Sequence, residues 1–444
     1  KMDTNYKSKH RDTKNFTENT VNSNNFSVTS VVKNKSNKMK DKFLKIFTFL
    51  IFGIGFSQTP ISLESAINKA LNNNLAIKDG TLKVQYQEKM QRSATVIDPL
   101  MISGEIGQMN SAYVDNKFSV SQTIRLPKFY NSQKKVLAEE YKNSTLQLEV
   151  HKWQLKKEIS LIYNELKYLD EKKKLLKKAD SIFSQYYKRA ELRLKKGESN
   201  LLEKATAENL RSQAELQLNA LEKDREIALQ KFNFLINDGT FYQNDKEKYT
   251  VLDINNLGEN FSGNPIILKQ LEQEKNIQNA KLLAEKSKLT PSFNIGYNNM
   301  SMYGTGADDK FYERSARFHS GMVGIGLPVF NSAQKSVIEA QKINQQIAEN
   351  NYQLGSLQLK NQYTQNFNLY QKLTNEISYY QKTGLANSES ILKTANNQYY
   401  NGEINYLEWT LLVNQAFEIE NKYTDRLKEL NDIIIEINAL KSEN

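Results

Sequence analysis

Cysteine is absent from the 444-residue chain, so no disulfide framework, thiolate metal site or lipid-modified N-terminal cysteine is available to it. Proline occurs six times and glycine eighteen times. That is too seldom to punctuate the many short turns of an all-β or α/β domain, and the chain reads as long helices with little else. The three histidines, His10, His151 and His319, show no ligand spacing and have no cysteine to help them, so no metal or other cofactor is expected. A phosphate-binding glycine loop is missing, as is a nucleophile motif with a base. The chain is not expected to be an enzyme.

Acidic residues are the scarcer charge, 50 against 61 basic ones for a net +11, which raises the question of nucleic acid. The excess is uneven: residues 1–57 hold eleven of the bases and only four of the acids, and the remainder carries an excess of four. A basic surface for nucleic acid is therefore not expected. Long apolar runs are lacking too. The one candidate, Ile46 to Phe56, follows Lys40, Lys42 and Lys45 and ends in Gly55-Phe56-Ser57, too short to span a bilayer as a helix. The segment 39–57 has the layout of a secretory signal cleaved before Gln58. Residues 1–38 then read as a disordered leader or as mis-assigned upstream sequence.

The chain does contain itself twice. "KKGESNLLE" at 195–203 nearly recurs as "YNGEINYLE" at 400–408, with Gly197, Glu198, Asn200, Leu202 and Glu203 matched by Gly402, Glu403, Asn405, Leu407 and Glu408. "LPKFYNSQKKV" (126–136) is echoed by "LPVFNSAQKSV" (327–337), and "DPLMISGEIG" (98–107) has a counterpart in "TPSFNIGYNN" (290–299). The landmarks keep their order, which divides the chain into a first repeat, 58–245, and a second, 246–444.

Each repeat reads as helix, strand, strand, helix, helix. From Asn131 to Lys196 there is neither Pro nor Gly, a run that would measure about 100 Å as one helix at ~1.5 Å per residue. Ile159, Ile162, Leu166, Leu169, Leu176, Phe183, Tyr187, Ala190 and Leu194 form one heptad stripe along it, with Lys173 and Asp180 as polar exceptions. After the turn, Ala207, Ala214, Leu218, Leu221, Ala228, Phe232 and Leu235 continue in phase, with Arg211 and Arg225 as polar members. Helical hairpins are expected at about 131–237, with a tip at 197, and at about 331–440, with a tip at 402. Gly suits the left-handed residue that ends a helix, and Asn200 or Ser199 could cap the next one.

Strands are expected at about 99–109, 117–126, 291–303 and 317–327. Phe118, Val120 and Ile124 alternate with Ser119, Ser121, Thr123 and Arg125. Phe293 with Ile295, and Val323 with Ile325, alternate in the same way. Each stretch is about as long as a tilted strand crossing a bilayer, with these apolar residues toward lipid. Amphipathic hairpins packed on the helices would read alike. Four strands cannot close a barrel, however, and an open edge in lipid is costly, so membrane strands would require several chains to share one barrel.

At this point the sequence resembles the TolC-like outer-membrane efflux proteins of Gram-negative bacteria, over about residues 60–440. The resemblance rests on the duplicated layout, the X-Pro and Leu-Pro strand borders, and the two glycine turns. It implies a mainly α protein with membrane β: a homotrimer sharing a twelve-stranded β-barrel in outer-membrane lipid, continued by a long periplasmic α-helical barrel. It implies a passive export duct docking to a periplasmic adaptor (membrane fusion protein) and an inner-membrane pump, the RND type being one candidate. The tips at Gly197, Glu198, Gly402 and Glu403 would meet the adaptor, and Glu408, with its repeat mate Glu203, would ring a periplasmic aperture. The sequence departs from the family pattern at Ile404, where a basic residue would help lock the tip. The alternative is a secreted periplasmic coiled-coil interaction protein without channel activity.

Overall fold

The computed structural model describes residues 59–441 apart from 255–257, 259, 260 and 262. The expected leader and signal segment lie outside the described residues. Helices dominate. The element order is β1 (Thr59–Ile61), α1 (Leu63–Asn73), α2 (Leu75–Met90), β2 (Met101–Gly107), β3 (Asp115–Arg125), α3 (Pro127–Lys195), α4 (Leu201–Ile236) and β4 (Tyr242–Asn244). There follow α5 (Ile266–Ser287), β5 (Ser292–Ser301), the short hairpin β6 (Gly304–Thr305) and β7 (Phe311–Tyr312), β8 (Arg317–Gly326), α6 (Ser332–Tyr379), α7 (Leu385–Asn401) and α8 (Tyr406–Lys441).

The helix α3 runs for 69 residues. It starts at Pro127, earlier than the Pro-free stretch suggests, because proline is tolerated at the first helical position, where its missing N–H has no helical partner. One heptad stripe does not describe it. Leu155, Tyr163, Leu175, Ala179 and Tyr186 are buried as well as Ile159, Leu166, Leu169, Phe183 and Ala190. The reason is that α3 meets different partners along its length: Leu155 and Tyr163 pack with α1, α4 and β4, and Leu175, Ala179 and Tyr186 with α4, α7 and α8. Against α4 it adds the Asp170–Arg225 pair at 2.7 Å and the Lys173–Glu222 pair at 2.9 Å. Against α8 a polar ladder runs antiparallel: Lys157 to Glu436 (3.3 Å), Asn164 to Asp432 (2.7 Å), Tyr168 to Asp425 (2.9 Å) and Lys178 to Glu420 (2.8 Å).

In the second repeat the long helix is interrupted. Tyr380–Gly384 forms a π turn between α6 and α7, closed by the Leu385 N–H on the Tyr380 carbonyl. Nearer the strands, α5 fits between α3 and α6 through polar clips. Ser132 bonds Ser287 at 2.7 Å, Gln273 bonds the Glu139 carbonyl at 3.0 Å, and Gln341 bonds the Gln278 side chain at 2.8 Å.

A small parallel sheet, unforeseen from the sequence, pairs β1 with β4. It is clamped to α3 by the Tyr163 hydroxyl on the Ile61 carbonyl (3.1 Å) and to α1 by the Lys69–Asp238 ion pair (2.8 Å). Its strands are three residues long with mixed burial, and so carry no period to read.

The second sheet has the order β2-β3-β5-β8, every pair antiparallel. The central β3–β5 pair joins the two repeats. Both outer strands, β2 and β8, leave one edge unpaired among the described residues. No helix among the described residues is long and apolar enough to cross a membrane.

Candidate functional site

The residues singled out in the sequence fall in two regions: the sheet, and the turns of the two helical hairpins. In the sheet, register sorts the side chains. Ile102 lies opposite Val120, Val120 opposite Tyr297, Ile124 opposite Phe293, and the latter opposite Ile325, while Ile295 faces Val323. Directly paired residues share a face. Phe118, Val120, Ile124, Phe293, Ile295, Val323 and Ile325 therefore stand on one side, with Val323 and Ile325 78% and 62% exposed. The other side carries Ser103, Ser119, Ser121, Asn298, Ser320 and Gly324, with the Lys117–Glu105 ion pair at 3.4 Å. An exposed apolar face on a sheet open at both edges is a poor match to water.

At the first tip α3 ends in a Schellman motif: the Gly197 N–H donates to the Leu194 carbonyl (3.1 Å) and the Glu198 N–H to that of Arg193 (2.9 Å). The second tip repeats it, with Gly402 donating to Tyr399 (3.2 Å) and Glu403 to Gln398 (2.8 Å). Both glycines have the left-handed φ that this motif needs, 75° and 79°. Each turn then hands over to an asparagine cap. Asn200 accepts from the Glu203 N–H (2.9 Å), and Asn405 accepts from the N–H groups of Leu407 (2.9 Å) and Glu408 (3.0 Å). The backbone is duplicated faithfully.

The side chains are not. Glu408 turns back on its own helix: its carboxylate accepts from the Asn405 N–H at 3.0 Å, completing a capping box and leaving the residue exposed. Glu203, at the same place in the first turn, is 3% exposed. Its Oε1 accepts from Arg193 (3.0 Å) and from the Tyr399 hydroxyl (2.5 Å), and its Oε2 from the Ser199 hydroxyl. Glu203 thus ties the first hairpin to the second, and the two matched glutamates differ in environment.

An aromatic cluster backs this contact. Tyr186, Tyr399 and Trp409 lie with ring centroids 4.3 Å (Tyr186–Trp409), 5.4 Å (Tyr399–Trp409) and 5.7 Å (Tyr186–Tyr399) apart, and the Trp409 indole N–H donates to Asn396 (2.8 Å). Arg189 stacks over Tyr400 at 4.3 Å. Burial and the adjacent Glu203 push the Tyr399 hydroxyl well above the ordinary tyrosine range, so it donates throughout the accessible pH range. Burial works against the Arg193 charge, but Tyr399 and Glu203 outweigh it and raise its pKa. Tyr399 was not singled out by sequence reasoning, although its place three residues before Gly402 put it on the tip. Trp409, like Trp153 with its N–H on the Ala439 carbonyl (2.7 Å), packs within the helices.

A one-sided sheet continuous with helical hairpins of this length is a fold shared with solved outer-membrane channels. Residues 264–426 match the family model described as "Outer membrane efflux protein". CusC, a solved structure described in terms of transmembrane channel formation, superposes with a TM-score of 0.70 at 18% identity over 88% of this chain and 94% of its own. The Campylobacter jejuni CmeC outer membrane channel gives 0.72 at 16% identity over 86% and 87%. The Vibrio cholerae outer membrane protein VceC gives 0.71 at 13% identity over 86% and 96%. No curated protein sequence matches the chain. The resemblance to the TolC-like outer-membrane efflux proteins is borne out, by the family model over the second repeat and by fold over most of the chain.

Proposed function

We propose that the chain is the outer-membrane channel of a tripartite efflux or secretion system, exported by its 39–57 signal and working as a homotrimer. The observation that carries this reading is the pair of open edges, β2 and β8, on a sheet with one exposed apolar face. Backbone groups left unpaired in lipid cost several kcal/mol each, about what closure against a neighbouring copy recovers. Three copies would make twelve strands, and the helices, continuous with those strands, would form the tunnel on the periplasmic side.

In this reading substrate moves passively, and the energy comes from an inner-membrane pump. The tips at Gly197, Glu198, Gly402 and Glu403 are the surface offered to a periplasmic adaptor, since both turns are exposed at the end farthest from the sheet. Glu408 is exposed where three copies would converge, and a ring of carboxylates there favours cations. Glu203, held by Arg193 and Tyr399, serves instead to brace one hairpin against the other.

Single-channel conductance of the purified mature chain in planar bilayers tests the reading. Discrete, cation-preferring steps are expected. A folded protein that gives no steps and needs no detergent would overturn it in favour of a coiled-coil partner protein.

A further inference from the structure

On the sheet's apolar side the strands offer eighteen positions by register and alternation, and only one of them is charged: Arg317. The carboxylates of the sheet, Glu105 and Asp115, stand at inward positions, and Lys117 and Arg125 do so too. Among the described residues no carboxylate lies within ion-pair distance of Arg317. Its guanidinium reaches across β5 to donate to the Asn116 side chain.

Two residues along, on the same side, is His319. Its Nδ1 lies within hydrogen-bond reach of the Tyr297 hydroxyl and of the Asn299 side-chain amide (3.2 Å). With Nδ1 engaged by these two partners, Nε2 is the ring nitrogen left to meet a ligand. Arg317 and His319 are both exposed. Their position is at the loop end: β8 runs from Arg317 toward α6, and eight residues separate Arg317 from Ile325. That is about 27 Å along a strand at ~3.4 Å per residue, or about 20 Å of membrane height at the usual tilt of ~40°. An apolar band of that height ends at the interface, the one depth at which a lipid-facing arginine is well tolerated.

We propose that Arg317 and His319, with Asn116 and Asn299 holding their side chains, form a binding site for the phosphate of a phosphorylated glycolipid in the outer leaflet. The guanidinium fork fits two phosphate oxygens, and His319 supplies a third donor where Nε2 carries a proton. Donors without a carboxylate, facing outward at headgroup depth, are complementary to an anion anchored in the same leaflet. The site rests on the membrane reading of the sheet given above.

The test is lipid retained per chain after gel filtration in detergent, using diphosphorylated lipid A, phosphatidylcholine and inorganic phosphate as separate probes. The native protein should retain lipid A, and Arg317→Gln combined with His319→Ala should weaken that binding about tenfold or more. Phosphatidylcholine retention and conductance steps should not change in the variant, and Arg317→Lys, which keeps the charge but loses the fork, should fall between. Equal lipid A retention by native and variant proteins that both conduct would overturn the site while leaving the channel reading intact. Displacement of lipid A by millimolar inorganic phosphate alone would assign the donors to a free anion and also overturn it. A protein that retains neither lipid and gives no steps would instead overturn the membrane reading on which the site rests.

Discussion

The hydroxyl of Tyr399, on the second hairpin, donates a 2.5 Å hydrogen bond to the buried carboxylate of Glu203, on the first. This contact spans 196 positions of sequence and stands just behind both tips, so it couples the two hairpins near their ends. Tyr399→Phe keeps the ring packing on Tyr186 and Trp409 and removes that bond together with the longer one the hydroxyl accepts from Arg193 (3.5 Å). Its expected cost is about 1–2 kcal/mol. Hydrogen exchange should speed up in residues 198–205 and 399–406 while the sheet stays protected, and unchanged exchange at the tips would contradict the brace.

The two repeat-matched glutamates should separate cleanly in conductance. Glu408→Gln removes an exposed carboxylate and should lower cation preference, with only about 0.5–1 kcal/mol lost from the capping box. Glu203→Gln should leave selectivity as it was, because that carboxylate is enclosed by Arg193, Ser199 and Tyr399. It should instead destabilise the tip by about 1–3 kcal/mol by weakening a charged hydrogen-bonded pair. Loss of selectivity in Glu203→Gln would place that residue on the permeation path after all.

Acid should weaken the fastening of the small sheet to α3. Burial disfavours the Asp245 charge, but hydrogen bonds from Lys167 and Tyr163 outweigh it and hold its carboxyl below the usual range. A carboxyl with a lowered folded pKa contributes stability that is fully present above its unfolded value, near ~3.9, and is lost as pH falls through the folded value. The thermal midpoint of the native protein should therefore exceed that of Asp245→Asn by a constant amount above about pH 5, with the gap starting to narrow near about pH 4 and closing only below the lowered folded value. A difference that persists in strong acid would show that the asparagine acts through packing.

Much of this architecture was legible because the chain says it twice. The turns at Gly197 and Gly402, their asparagine caps and the Leu-Pro starts of the long helices are local chemistry, fixed by φ, by side-chain oxygens and by a missing N–H. The strand faces followed from period two and agree with the observed register. What stayed hidden depends on partners. The further buried residues of α3 answer to different partners, Leu155 and Tyr163 to α1 and β4, and Leu175, Ala179 and Tyr186 to α7 and α8, and period analysis tuned to one stripe passes over them. The π turn at Tyr380–Gly384 has only Gly384 to announce it. The divergence of Glu203 from Glu408 could not be read from repeat matching, because it is decided by Arg193 and Tyr399, which the repeat does not copy: Gln398 stands where the first tip has Arg193, and Leu194 where the second has Tyr399.

The two faces of the sheet make opposite demands, and a pair of substitutions on one strand puts them in conflict. Val323 stands 78% exposed on the apolar side, opposite Ile295. Three residues earlier on β8, Ser320 stands on the other, polar face, opposite Asn298. Val323→Lys would force an ammonium into lipid at a cost of about 2–4 kcal/mol per chain near mid-membrane, and a trimer would bear that cost three times over. Ser320→Lys adds the same charge to a wall that already carries Lys117 and faces water in the proposed barrel, so it should assemble normally and merely reduce cation flux. Heat-resistant oligomer on semi-native gels, with outer-membrane fractionation, reads the difference: present for Ser320→Lys and absent for Val323→Lys. Equal assembly of the two variants would mean that the apolar face is covered by protein, not lipid, and that the four strands are amphipathic hairpins of a different assembly.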